Sequence, residues 1–124
     1  MSKILIVEDN EMNMRLFSDL LKTKGYEIIE CLEGTKALGI VKSEKPDLIL
    51  MDIQMPEISG LEVTAQIRKT PEVADTRIVA VSAFAMSGDK EKILAAGCND
   101  YISKPISIPL FFETVEKNLT NQGK

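Results

Sequence analysis

The stretches Ile4-Leu5-Ile6-Val7, Leu48-Ile49-Leu50-Met51 and Ile78-Val79-Ala80-Val81 are each apolar at four successive positions and rich in aliphatic side chains. A strand with one face in water alternates apolar and polar residues. Continuous runs mark strands covered on both faces. Between the runs lie stretches with helical spacing of apolar residues. Strand and helix thus alternate along the chain, which implies a parallel sheet with helices on both sides.

The full reading is five strand–helix units. Strands are expected at 4–7, 26–31, 47–51, 78–81 and 100–103. Helices are expected at 10–24, 34–43, 59–69, 87–96 and 107–119. The first helix carries Phe17, Leu20 and Leu21 on its apolar face and stops at Gly25, the third ends before Pro71, and the fourth ends at Gly97. Ser107 is the expected N-cap of the last helix, whose apolar stripe is Ile108, Phe111, Phe112, Val115 and Leu119. Strand 26–31 carries Glu27 and Glu30, and strand 100–103 carries Asp100 and Ser103, so these two read as edges. The expected fold is therefore α/β, a five-stranded parallel sheet of order 2-1-3-4-5, doubly wound and flavodoxin-like. Residues 1–119 form one domain in this reading, and 120–124 a short polar tail.

Composition narrows the chemistry. The chain has 124 residues, 44% of them hydrophobic and 27% charged, which suits a single globular domain. A net charge of −4 and a pI near 4.9 argue against nucleic-acid binding. No apolar run approaches the roughly 20 residues of a membrane span, and no signal peptide precedes residue 4, so a cytoplasmic location is expected. Cys31 and Cys98 lack CxxC spacing and read as buried thiols. There is no histidine, which removes the commonest general base, the commonest zinc ligand and every catalytic Ser-His or Cys-His pair.

In an open α/β sheet, ligands sit beyond the carboxyl ends of the strands, where strand order reverses. Here that point lies between the first and third strands. The first strand ends in Glu8-Asp9, the third in Asp52, the fourth in Ser82, and the fifth in Lys104 followed by Pro105. Taken singly, each has a plain alternative: Glu8-Asp9 could cap the helix near Asn10, Ser82 could be a turn residue, and Lys104 a solvated loop lysine. Together they bring three carboxylates, a hydroxyl and an ammonium to one rim. Clustered carboxylates repel unless a cation is present. Hard oxygen ligands without His or Cys point to Mg²⁺, and such a site suits phosphoryl chemistry with a carboxylate nucleophile.

The segments ILIVEDNE, DLILMDIQMPEISG, IVAVSA and YISKP, in that order and spanning nearly the whole chain, resemble the response-regulator receiver domains of two-component signalling. The resemblance implies roles. Asp52 is the phospho-acceptor. Asp9 and Asp52 bind Mg²⁺ directly, with the main-chain carbonyl of Gln54 as a third protein ligand and Glu8 acting through water. Lys104 contacts the phosphoryl group, with a cis bond to Pro105. Ser82 and Tyr101 fill the switch positions, and Phe84 and Met86 form part of a partner surface or pack over their own loop. The implied partners are a sensor histidine kinase or histidine phosphotransfer protein, and a downstream protein that reads the face of the fourth helix, fifth strand and fifth helix. Few apolar residues besides Ile93 and Leu94 hold the fourth helix, which marks it as the moving part.

MNMRLF, DIQMPEISGLEVT, SAFAMSGDKEKI and YISKPIS together resemble the DivK-type single-domain regulators of alphaproteobacterial cell-cycle control. The functional expectation is a stand-alone phospho-switch acting by protein contact. The alternatives are a receiver cut from a longer regulator with an output domain, and a phosphate sink or relay intermediate. An aspartate-nucleophile phosphatase needs a second Asp two residues after the nucleophile, where this chain has Gln54. A flavodoxin needs an acid-free phosphate loop, where this chain has Glu8-Asp9-Asn10-Glu11.

Overall fold

The computed structural model describes residues 2–83 and 87–120, without the side chains of 87–89. The strands are β1 (Lys3–Val7), β2 (Glu27–Cys31), β3 (Leu48–Asp52), β4 (Arg77–Ser82) and β5 (Asp100–Ser103). The helices are α1 (Glu11–Lys22), α2 (Ala37–Glu44), α3 (Gly60–Arg68), α4 (Ser87–Ala95) and α5 (Ile108–Thr120). All pairings are parallel and the order is β2-β1-β3-β4-β5, as the edge and centre compositions required.

The continuous apolar runs are explained by two separate cores. Leu5, Val7, Ile49, Met51, Ile78 and Ala80 face one side and pack with Ala37 and Val41 of α2, Val63 and Ile67 of α3, and Ile93 of α4. Ile4, Ile6, Leu48, Leu50, Val79 and Val81 face the other and pack with Phe17 and Leu21 of α1, and Phe111 and Val115 of α5. Successive strand residues point to opposite faces, so burying both faces demands an apolar residue at every position. The Phe17 and Phe111 rings stack with centroids 5.5 Å apart and tie α1 to α5. Burial of each large side chain contributes roughly 1.5–3 kcal/mol. The three central strands are therefore a stiff platform for whatever their ends carry.

Local signals set the element ends. The Asn10 side chain accepts from the Asn13 amide at 2.9 Å and caps α1, so Glu8 and Asp9 are not its caps. Gly25 follows that helix at φ +83°, a conformation that costs other residues a steric clash. Ser59 Oγ accepts from the Leu61 amide and Glu62 Oε1 from the Ser59 amide, a capping box that starts α3. The Ser107 carbonyl accepts from the Phe111 amide at 2.8 Å at the start of α5.

Some boundaries differ from expectation. Residues 34–36 form a 3-10 turn before α2, and a second 3-10 turn covers Pro71–Val73. Proline lacks a backbone donor and is accepted where a helical turn begins, so Pro71 opens a turn as well as closing α3. Asp52 is the last residue of β3 rather than the first of a loop, and Thr120 still belongs to α5.

Candidate functional site

The carboxyl ends of β1, β3, β4 and β5 meet at one rim. Glu8 and Asp9 follow β1, Asp52 ends β3, Ser82 ends β4 and Lys104 follows β5. Strands β1 and β3 are neighbours, with Val7 beside Met51, and chain order reverses there. Glu8 stays on the sheet, because its amide donates to the Cys31 carbonyl at 3.0 Å.

Asp52 is 2% exposed and Glu8 1%. Carboxylate oxygens of Glu8, Asp9 and Asp52 lie within 4.8 Å of one another, with Asp9 only partly buried. Lys104 Nζ is 3.1 Å from Glu8 Oε1 and 3.4 Å from Asp52 Oδ1. The Gln54 amide also donates to Asp52 Oδ1, at 3.1 Å, and the Asn10 amide to Glu8 Oε2, at 3.2 Å. Two of the three carboxylates thus share one ammonium. Burial first, and then the Glu8 carboxylate, push the Asp52 carboxyl up from 3.8 to about 7. The Gln54 amide and Lys104 pull it down, but do not cancel the rise.

The loop after β3 is held by backbone. The Ile53 amide donates to the Val81 carbonyl at 3.1 Å, and the Gly60 amide to the Ile53 carbonyl at 3.0 Å. Gly60 lies so close to the Asp52 carbonyl that a Cβ there would collide with it. The glycine serves close packing of α3 against the site-bearing residue.

Ser82 is 2% exposed, and its carbonyl accepts from the Lys104 amide at 2.9 Å. The Lys104–Pro105 bond is cis. Ala80 pairs with Tyr101 across β4 and β5, so Ser82, two residues on, shares the sheet face of the half-buried Tyr101. Lys90 of α4 lies over the Tyr101 ring, 5.6 Å from its centroid. Sequence reasoning missed this contact, since a helical position alone does not say which ring a lysine reaches. Phe84 and Met86 lie outside the described residues.

The donor set is oxygen only, from Glu8, Asp9 and Asp52, with Gln54 exposed beside them. That set, with its excess of negative charge, fits a hard divalent cation such as Mg²⁺. No helix among the described residues is long and apolar enough to cross a membrane.

Residues 4–116 match the response regulator receiver domain family. Over 116 residues the chain is 53% identical to the polar-differentiation response regulator DivK of Brucella anthropi, covering 94% of each chain. A receiver domain of a sensor histidine kinase from Pseudomonas aeruginosa, solved with magnesium in its active-site cleft, is 31% identical. It superposes with a TM-score of 0.88 over 96% of this chain and 98% of its own. The Vibrio cholerae chemotaxis protein CheY4 is 25% identical, with a TM-score of 0.90 over 96% and 99%. An acidic rim at the switch point of a 2-1-3-4-5 sheet, inside a match that spans nearly the whole chain, makes this protein a member of the response regulator receiver domain family.

Proposed function

We propose that Asp52 is the phospho-acceptor of a single-domain response regulator that signals by protein contact. The observation that carries this is the meeting of Asp52 with Lys104 at 3.4 Å, within a cluster of three carboxylates at the switch point. Asp9, Asp52, the Gln54 main-chain carbonyl and, through water, Glu8 would hold Mg²⁺. When bound, the ion neutralises charge on phosphoryl oxygens and on the carboxylates themselves.

The chain's own residues do the rest. An Asp52 carboxylate oxygen attacks phosphorus in line, forming an acyl phosphate as the bond from phosphorus to the donor breaks. With a phosphohistidine donor, the leaving imidazole takes up a proton. The chain has no histidine, so a phosphohistidine donor lies outside it, on a sensor histidine kinase or a histidine phosphotransfer protein. Lys104 sits where its ammonium offsets charge on the incoming group. Attack of water on the acyl phosphate later restores Asp52 and releases inorganic phosphate.

Ser82 then donates a hydrogen bond to the new phosphoryl oxygens. Its movement opens space on the sheet face it shares with Tyr101, and Tyr101 turns inward. This alters the face of α4, β5 and α5 that a downstream protein reads. Kinship with the polar-differentiation regulators supports a role in cell-cycle and cell-division control. The test is intact-mass measurement after incubation with Mg²⁺ and acetyl phosphate. One phosphoryl adduct is expected in the wild type and none in Asp52→Asn or with chelator. Absence of an adduct with acetyl phosphate and with histidine kinases alike overturns the proposal.

A further inference from the structure

Two loops carry the metal-facing groups: Glu8 and Asp9 follow β1, and Gln54 follows β3. The loop after β3 is pinned at both ends, by the Ile53 amide on the Val81 carbonyl and by the Gly60 amide on the Ile53 carbonyl. Between those pins Gln54, Pro56 and Glu57 are exposed, Met55 is buried and Ile58 is half-buried. The middle of the loop therefore rests where Met55 and Ile58 find their packing.

They find it on the turn after β2. Gly34 in that turn is buried, and a Cβ added to it would stand 2.7 Å from Ile58 Cγ2 and 2.8 Å from Met55 Cε. Among the described residues, no hydrogen bond joins residues 55–58 to this turn, so contact alone sets the spacing. Met55 can swing its terminal methyl aside. Ile58 Cγ2 hangs on a branched Cβ with a stiff χ1, so clearing it moves the loop backbone. Gly34 lies outside the left-handed region, so space and not backbone strain excludes a side chain there.

The turn is held too firmly to yield instead. The Cys31 carbonyl accepts from the Glu8 amide at 3.0 Å, and the Cys31 thiol donates to the Glu33 carbonyl at 3.0 Å. The Lys36 amide donates to the same Glu33 carbonyl at 3.1 Å. Next along the chain, Ala37 and Val41 are fully buried in the core. Asp9, residues 32–35 and residues 55–58 line one small cleft, so the turn stands against both metal-facing loops.

We infer that Gly34 is a positioning residue for the cation: lacking a side chain, it seats Met55 and Ile58 at the depth that presents the Gln54 carbonyl beside Asp9 and Asp52. The inference rests on the reading of Asp9, Asp52 and Gln54 as the Mg²⁺ ligands, and it adds what sets the third of them. It also bears on which ion is preferred. Mg²⁺ demands near-octahedral oxygens at about 2.0–2.1 Å, whereas Ca²⁺ accepts about 2.3–2.6 Å in flexible geometry. A displaced Gln54 carbonyl costs Mg²⁺ more than Ca²⁺.

The test is calorimetric titration of the full chain with MgCl₂ and with CaCl₂ at pH 8. Wild type, Gly34→Ala, Ile58→Ala and the double variant are compared. Gly34→Ala should bind Mg²⁺ at least fivefold more weakly than wild type, and Ca²⁺ within twofold of it. Ile58→Ala removes the opposing methyl, so the double variant should return to within twofold of wild type for Mg²⁺. Should Gly34→Ala not fold, Ile58→Ala alone carries the comparison. It loosens the same seat and should lower Mg²⁺ affinity at least threefold, with Ca²⁺ again within twofold. Unchanged Mg²⁺ affinity, equal losses for the two ions, or no recovery in the double variant overturns the inference and leaves Gly34 a purely structural residue. A wild type that binds neither ion sinks the metal reading itself. Wild-type binding with an unchanged Mg²⁺ to Ca²⁺ ratio in the variants sinks only this inference.

Discussion

Glu8 and Lys104 stand 96 positions apart in the chain and meet at 3.1 Å, with Asp52 Oδ1 3.4 Å from the same ammonium. One cation therefore serves two carboxylates that are each almost wholly buried. Attraction to Lys104 is divided, and repulsion between the carboxylates is not removed.

Replacing Lys104 by Met should expose that imbalance. Two buried carboxylates would lose their ammonium, and stability at pH 8 without metal should drop by roughly 1–3 kcal/mol, below the full cost of breaking a buried pair because the lysine is partly exposed. Urea unfolding measures this. Phosphorylation from acetyl phosphate should slow by about a hundredfold or more, as when one charge-stabilising group leaves a reacting centre.

Asp52 should make the metal-free protein less stable as pH rises. Below its ordinary value of 3.8, both folded and unfolded chains hold the proton, and the group contributes nothing to pH dependence. Between 3.8 and about 7 the folded chain keeps a proton that the unfolded chain has lost, so stability falls with pH. Above 7 the whole cost is felt. Asp52→Asn removes it, and in EDTA its gain over wild type should grow from near zero at pH 4 to on the order of 2–4 kcal/mol at pH 8. A gain that stays flat across this range would contradict the assigned electrostatics.

Magnesium should reverse the same penalty. At a hundredfold excess over its Kd, a ligand of the folded state adds about 2.7 kcal/mol, or roughly 8–14 °C in Tm for a domain of this size. The shift should be large at pH 8 and small at pH 5.5, where a proton on Asp52 competes with the ion. Asp9→Asn should weaken it at both. Thermal melts with MgCl₂ and with EDTA decide the matter.

Two glycines should respond in opposite directions. A methyl at Gly60 collides with the backbone of Asp52, whereas one at the exposed Gly39 in α2 meets nothing within 4 Å. Gly60→Ala should cost roughly 2 kcal/mol or more and disturb phosphorylation, because α3 must move off the residue that carries it. Gly39→Ala should stabilise by about 0.5–1 kcal/mol through better helix propensity. Equal effects at the two sites would remove the packing explanation.

The sequence by itself determined the strand order and the rim. Unbroken apolar runs mark the central strands, and Glu27 and Glu30 mark an edge, where both do lie exposed. Parallel topology then forces every strand to end on the same side, so Glu8, Asp9, Asp52, Ser82 and Lys104 converge whatever their side chains do in detail. Periodicity is a local property, and local properties are written in sequence.

Only the tertiary structure decided how those residues are held. Nothing local says that Gly60 is small to clear the Asp52 carbonyl. Arg68 reads as an ordinary basic residue at a helix end. In the fold it donates to the carbonyls of Ala74, Thr76 and Gly97 and to Asn99, clasping the end of α3 to the loops before β4 and β5. The Asp52 carboxyl near 7 belongs to the same class, because burial and the distance to Glu8 exist only once the chain is packed. Contacts between residues tens of positions apart depend on where whole elements come to rest, and no window of sequence contains that.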